Sequence, residues 1–403
     1  MTRQRGRWLW WVAPAVLVVA WLLWSVMDSP RAATAPTAAV ATAAPRAVPS
    51  PMAVGSAPFN AVALQARQAQ LALWQQRLER AQVALDAYRQ STRYPFESQP
   101  LEDHGDQAHP GQPISEEHLL RLPGSKPSEG VVLRTTQERV FVQGNESVRF
   151  TVALVDNAGQ TLPLRVVRAS AHEVPPPRTA STYPDVTMNF NDEGAAGDAV
   201  AGDGVFSAQL QPATQGFAGL LGQIRVELVL QYRDQQGFSY FDIMFTPEPP
   251  ATWHGGVREA LEDGSLNFYL KADVREAGRY VVTGRVDDAH GKPFALMTFN
   301  EELPAGAQEI RLTLFGKLVR DAKPAFPLTL RDVDGFRLRP DAFPDRSLMP
   351  RLAGVVHMSR VYPLDGFADA EWSSEERSRY LGELGRDVAD AQGRVEQLNR
   401  GPR

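Results

Sequence analysis

Hydrophobic positions change their spacing along this chain, and the changes divide it into elements. From Trp8 to Met27 (WLWWVAPAVLVVAWLLWSVM) every helical face is apolar, no charge occurs, and Ser25 is the only polar side chain apart from the indoles. At about 1.5 Å per helical residue the run reaches roughly 30 Å, the thickness of a bilayer's hydrocarbon core. It is therefore predicted to span a membrane. Between Asn60 and Gln90 the period becomes seven: Leu64, Leu71, Leu78 and Leu85 recur, with Trp74, Ala81 and Tyr88 three positions further on. Arg67 breaks the second series. This spacing predicts a helix over 59–91, either packed on its own protein or self-associating as a coiled coil.

From 130 to 249 the period is two. Val148, Phe150, Val152 and Leu154 form one inward row, and Ile224, Val226, Leu228 and Leu230 form another. Asp156-Asn157-Ala158-Gly159 and Asp234-Gln235-Gln236-Gly237 read as turns between strands. About seven or eight short strands in this span predict an immunoglobulin-like sandwich. Alternation resumes after the prolines at 247–251, with Ile310, Leu312 and Leu314 as one inward row, and predicts a second antiparallel sandwich over 250–366. Residues 372–399 are helical again. Leu381, Leu384, Val388, Ala391, Val395 and Leu398 repeat at spacings of three and four, and Ser373 with Glu376 reads as a capping box at its start. The predicted fold is mainly β: two tandem antiparallel sandwiches, preceded by a transmembrane helix and a stalk helix and followed by a C-terminal amphipathic helix.

Two stretches lack periodicity. Residues 28–58 are rich in alanine, with proline at 30, 36, 45, 49, 51 and 58, and read as an extended spacer. Residues 92–129 are rich in Pro, Gly and charge and read as an irregular arm. His104, His109 and His118 fall there without the spacing of a zinc site, so they read as solvated histidines.

Charge sets the orientation. Arg3, Arg5 and Arg7 precede the span, while only Asp28 and Arg31 follow it closely. The bias places 1–7 as a cytoplasmic tail and the rest of the chain across the inner membrane, in the periplasm or outside the cell. A cleaved signal peptide is the rival reading, with Ala33-Thr34-Ala35 as its cleavage site, although the apolar run is long for one and Pro36 follows the site. Arg3, Arg5 and Arg7 supply +3 of the net −5, leaving −8 beyond Met27. A mildly acidic ectodomain without a long basic run argues against nucleic acid as a partner. The absence of cysteine removes disulfides, thiolate metal sites and a cysteine nucleophile.

Candidate chemistry is sparse. No G-x-S-x-G or H-E-x-x-H motif occurs, and the chain is read as non-catalytic. One stretch gathers oxygen ligands: Asn191, Asp192, Asp198 and Asp203, interleaved with Gly194, Gly197, Gly202 and Gly204. Hard oxygens on a tight glycine-rich backbone suit a structural calcium ion. The same composition suits a hairpin connection with no metal, and both readings stand. No other cofactor is implied.

GDAVAGDGVFS (197–207), RYPFESQPLEDHGD (93–106) and the strand-rich segment 278–319 together resemble the choice-of-anchor X group of prokaryotic anchored proteins. The resemblance implies an exported, envelope-anchored β-rich protein and supplies no catalytic residues. An N-terminal anchor departs from that group's usual arrangement. The expected role is a structural or adaptor module that meets another envelope protein or a second copy of itself. A calcium-stabilised carbohydrate-binding or adhesin-like module is the alternative.

Overall fold

The computed structural model describes residues 57–119 and 130–400. The predicted span 8–27 and nearly all of the spacer lie outside the described residues. Among the described residues no helix is long and apolar enough to cross a membrane. Contacts divide the chain after Gln65, and the packing described below belongs to Ala66–Arg403.

Strands dominate. Helix α1 (Ala57–Ser91) leads into β1 (Ser98–Pro100), a 3-10 turn over Leu101–Gln107, and β2 (Ile114–Leu119). Then come β3 (Val131–Gln137), β4 (Phe141–Gln143), β5 (Val148–Asp156), β6 (Thr161–Leu162) and β7 (Arg165–Val174). They are followed by β8 (Val186–Thr187), β9 (Phe206–Leu210), β10 (Gly222–Tyr232) and β11 (Gln235–Thr246). One sheet runs β2-β3-β5-β6, with β9 also on β5; the other runs β4-β11-β10-β7-β8. All their pairings are antiparallel except β4 on β11.

Both sheets face one core. The two inward rows read from the period, Val148 to Leu154 and Ile224 to Leu230, are buried throughout. Phe150 from the first sheet meets Phe241 from the second with ring centroids 4.9 Å apart. Burial of each such side chain stabilises the fold by about 1.5–3 kcal/mol.

A second core follows. Strands β12 (Ala251–Glu262), β13 (Ser265–Val274), β14 (Gly278–Asp287), β15 (Pro293–Leu303) and β16 (Gly306–Leu314) precede a short helix α2 (Gly316–Ala322). Then come β17 (Thr329–Leu338), β18 (Arg346–Leu348) and β19 (Leu352–Met358). A three-stranded sheet, β12-β13-β16, packs on a six-stranded one built from β1, β15, β14, β17, β18 and β19. Tyr280 is fully buried in this core, and its hydroxyl lies 2.6 Å from the Glu276 carbonyl and 3.1 Å from that of Pro250. Burial pushes its pKa up to about 12. The bond to Pro250 fixes the connection between the two cores.

The arm at 92–129 corrects the sequence reading, because it is not irregular throughout. It gives β1 to the second core's sheet and β2 to the first. Its Leu101 is almost completely buried. β1 is short and ends in proline, and β2 (Ile114-Ser115-Glu116-Glu117-His118-Leu119) has no apolar alternation, so neither shows a period of two.

The C-terminal helix α3 (Glu375–Arg400) lies antiparallel to α1. Arg67 donates to the Leu398 carbonyl near one end of the pair. Tyr88 meets Tyr380 at 5.7 Å between centroids, and Arg377 Nε donates to Thr92 Oγ1 at 3.0 Å near the other. Arg67, Leu71, Trp74, Leu78, Ala81, Leu85 and Tyr88 are the less exposed positions of α1, while Leu64, the first of the predicted row, is exposed; in α3 they are Leu381, Leu384, Val388, Ala391, Val395 and Leu398, with Arg377 and Gly385. Arg67, the break in the apolar series, caps the other helix's C-terminal carbonyls, where a cation is favoured by about 0.3–1 kcal/mol. The cap of α3 differs from the capping box expected: Ser374 Oγ, one residue beyond Ser373, accepts the Arg377 N–H at 3.0 Å.

The pair is fastened at its base. Asp321 on α2 takes Arg93 at 2.9 Å, the Tyr94 hydroxyl at 2.9 Å and Lys317 at 2.7 Å. Burial, with Asp321 beside it, pushes the Tyr94 hydroxyl up to about 12. Burial alone would raise Asp321, but Lys317, Tyr94 and Arg93 hold its carboxyl below the usual range.

Replacing Leu384 and Val388 together with Asp should separate α3 from α1. Glycines at 382, 385 and 393 make α3 a weak helix alone. The expected outcome is a loss of helical signal in far-ultraviolet circular dichroism and a destabilisation of about 3 kcal/mol in thermal melting. Unchanged helix content and melting temperature would show that the seam holds nothing.

Candidate functional site

Two places carry chemistry. The first is the glycine-rich connection between β8 and β9. Its backbone is held by its own carboxylates. Asp192 Oδ1 accepts the N–H groups of Gly202 at 2.8 Å and Asp203 at 3.1 Å, and its Oδ2 accepts that of Gly204 at 3.0 Å. Asp198 Oδ2 accepts the Gly194 N–H at 2.7 Å, and its Oδ1 accepts the Ser207 hydroxyl at 3.2 Å. Asp203 Oδ1 accepts the Val205 N–H at 2.9 Å. Gly204 has φ +80°, which favours glycine, and a Cβ there would lie a tight 3.1 Å from that of Thr161.

This folding brings Asp192, Asp198 and Asp203 together. One oxygen from each lies within 4.8 Å of the others. Such a set could hold a hard divalent cation, with backbone carbonyls or water completing the shell. Asn191, grouped with them on sequence, is the residue just before Asp192. Its backbone forms an isolated bridge with Ser207, its Oδ1 accepts the Glu193 N–H at 3.2 Å, and its buried amide nitrogen has no partner among the described residues.

The second place was missed on sequence. An open groove of about 480 Å³ runs between the edge of β11 and strands β2 and β3. Ile114 and Glu116 border it on one side, Phe238 and Tyr240 on the other, with Thr135 and Gln137 buried between. Phe238 is 50% exposed and Tyr240 48% exposed. Arg225 stacks on the Tyr240 ring at 4.2 Å and pairs with Asp242 through two contacts of 2.8 Å, so its charge is neutralised locally. Hydrogen bonding to Asp242 raises the Arg225 pKa further. A signal was present: Phe241, Ile243 and Phe245 face inward, so Phe238 and Tyr240 occupy the solvent parity of the same strand, where polar residues are the norm.

A third cluster is structural. Glu259 on β12 accepts the Arg360 N–H at 2.8 Å, Arg360 Nε at 2.9 Å and the Tyr362 hydroxyl at 3.1 Å, and lies 3.1 Å from His357 Nε2. Burial alone would raise its pKa, but these bonds hold the carboxyl below the usual range. It joins the edge of the three-stranded sheet to the segment around β19.

No family model and no curated protein matches the chain. Among solved structures it is similar to a DUF4785 family protein from Legionella pneumophila, at 13% identity and a TM-score of 0.38, over 57% of each chain. It is also similar to the native conformation of the alpha-2-macroglobulin of E. coli, at 12% identity and a TM-score of 0.27, over 59% of this chain and 15% of that one. The match therefore spans less than two thirds of either relative, and similarities this low establish neither fold nor function.

The loop's bonding predicts unequal roles for its acids. Asp192→Ala strips the carboxylate from the N–H groups of Asp203 and Gly204, while that of Gly202 keeps the Asp192 carbonyl at 3.2 Å, and should cost about 2 kcal/mol. Asp203→Ala strips it from one and should cost about 1 kcal/mol. Thermal melting of the full chain in chelator checks this; equal losses would show that the carboxylates do not hold the loop.

Proposed function

We propose that this chain is a single-pass, inner-membrane-anchored envelope protein whose β-rich part is a non-catalytic adaptor for another protein. Residues 8–27 form the anchor in this reading, and 28–58 the spacer. The two cores are tandem immunoglobulin-like sandwiches; the β3-β5-β9 and β4-β11-β10-β7 arrangement, with a parallel β4–β11 pair, supports that description of the first. The resemblance of 93–106, 197–207 and 278–319 to choice-of-anchor X proteins points the same way. One observation carries the adaptor role: an unclosed sheet edge beside two exposed aromatic rings, Phe238 and Tyr240. Contiguous apolar surface on an edge is what a protein partner covers.

A membrane-impermeant amine cross-linker applied to intact cells tests the placement and the role together. The lysines, at 126, 271, 292, 317 and 323, all follow the predicted span. The expected outcome is a discrete protein adduct in a membrane fraction that survives salt washing. A chain that stays unmodified, or that leaves the membrane with salt, overturns the reading.

The carboxylate cluster favours a second reading, a calcium-stabilised carbohydrate-binding or adhesin-like module. An ion that binds only the folded chain stabilises it by about 2.7 kcal/mol at a hundredfold excess over Kd. The full chain should then melt higher in millimolar calcium than in chelator, and Asp198→Ala should remove the difference. Identical melting curves, with no heat of binding in calorimetry, would leave the loop as a metal-free connection.

A further inference from the structure

Sheet edges leave backbone groups without partners, and proteins usually blunt them with charge, proline or bulges. The edges of this chain are treated unequally. β2 carries Glu116 and Glu117 at its centre. β12 has a register shift between His254 and Arg258, with Gly255 at φ +68°. β19 shifts register twice against β17 and contains Gly354 at φ +69°. The stretch Phe238-Ser239-Tyr240-Phe241-Asp242 of β11 has no proline, lysine or bulge, and its pairing with β10 is regular throughout.

The direction of its free groups follows from the bonds at its far end. The Met244 N–H donates to the Val140 carbonyl at 2.8 Å, and the Thr246 carbonyl accepts the Gly144 N–H at 2.9 Å. The Asp242 carbonyl accepts Gln137 Nε2 at 2.8 Å. Backbone groups alternate between the two sides of a strand. The N–H groups of Phe238, Tyr240 and Asp242 and the carbonyls of Phe238 and Tyr240 therefore face the groove, away from β10. β4 reaches only Met244–Thr246, so no strand among the described residues pairs with them.

The walls select an occupant. Ile114, Phe238 and Tyr240 offer apolar surface on alternate positions. Glu116 has no ion-pair partner among the described residues, and the neighbouring Asp242 is already matched by Arg225. The unmatched charge is negative.

We infer that the groove is a strand-addition site: an extended peptide segment of a partner protein pairs with Phe238–Asp242, with apolar side chains at alternate positions and a lysine or arginine beside Glu116. The inference rests on the adaptor reading and names the partner's chemistry. In this mode main-chain bonds supply affinity and alternate side chains supply specificity. At about 3.4 Å per residue the edge accommodates about five or six partner residues.

The test uses the full-length chain in detergent and a panel of fluorescein-labelled hexapeptides. Each alternates Val, Ile or Phe with Thr and carries one Lys, and binding is read by fluorescence anisotropy. Saturable binding is expected for members of the panel. Methylating alternate backbone nitrogens of a bound peptide should weaken it about tenfold or more. Tyr240→Pro should do the same while the chain stays folded, because that N–H serves no bond to β10 and the lost ring stack on Arg225 costs little. Phe238→Lys, which alters only an exposed side chain, is the second variant, with the same expected loss. Failure of every peptide to bind, or equal binding by the methylated peptide or by Phe238→Lys, overturns the inference. So does a groove that takes an oligosaccharide and no peptide. If the inference falls while the intact-cell protein adduct persists, the adaptor role stands on another surface. If the adduct is also absent, that role falls with it.

Discussion

Unpaired peptide groups at sheet edges govern how this chain is arranged. A buried backbone donor or acceptor without a partner costs about 1–3 kcal/mol, so each edge strand needs a neighbour, solvent or a local device. The segment between α1 and β3 meets that need for both cores. β1 covers one side of β15, and β2 covers one side of β3. β4 closes the far end of β11 in parallel, and the Gln137 side-chain amide takes the next carbonyl, that of Asp242. Closure stops there. The remaining stretch, Phe238–Tyr240, is the part of β11 that carries exposed rings, so the unclosed backbone and the apolar surface coincide.

The helices answer a different problem. α1 and α3 are too weakly apolar to stand alone, and their half-buried rows face each other. Their seam contains two arginines at opposite ends, each with a polar partner. Arg67 uses the C-terminal carbonyl of Leu398, while Arg377 uses Thr92 and Glu371. Surface ion pairs contribute little individually, about 0–1 kcal/mol. The base is different in kind, because Asp321 is shared by Arg93, Tyr94 and Lys317 in one partly buried network. That sharing fixes the residues immediately after α1 onto α2, and the main-chain bond from Trp372 to Arg93 brings the start of the C-terminal helix to the same point.

Long periodic runs were legible in the sequence and short ones were not. The rows at Val148–Leu154 and Ile224–Leu230 declared their inward faces because one side of each strand is buried for its whole length. β1 and β2 gave no such signal, since edge strands of three and six residues are shaped by pairing and by charge rather than by burial. α2 interrupts a strand-rich stretch with only seven residues, too few for a helical period to show. Arg67 looked like a defect in a heptad series because the partner that gives it a purpose is the end of a helix more than three hundred residues away. Asp192, Asp198 and Asp203 were grouped correctly by residue type. The backbone bridge from Asn191 to Ser207 gave no signal, because it depends on a strand that the composition of the loop conceals.

The loop also shows how one set of carboxylates can serve two ends. A carboxylate has about four lone-pair directions. Asp192 commits three of them to N–H groups, which leaves little for a cation. Asp198 accepts two bonds and Asp203 one, so their oxygens keep the greater capacity. Asp192 is therefore the residue that shapes the backbone, and the other two are the ones that face each other with lone pairs to spare. Their mutual repulsion is offset in part by N–H donors already in place. A cation held by Asp198 and Asp203 would tie that path to β9 through Ser207, whose hydroxyl already bonds Asp198.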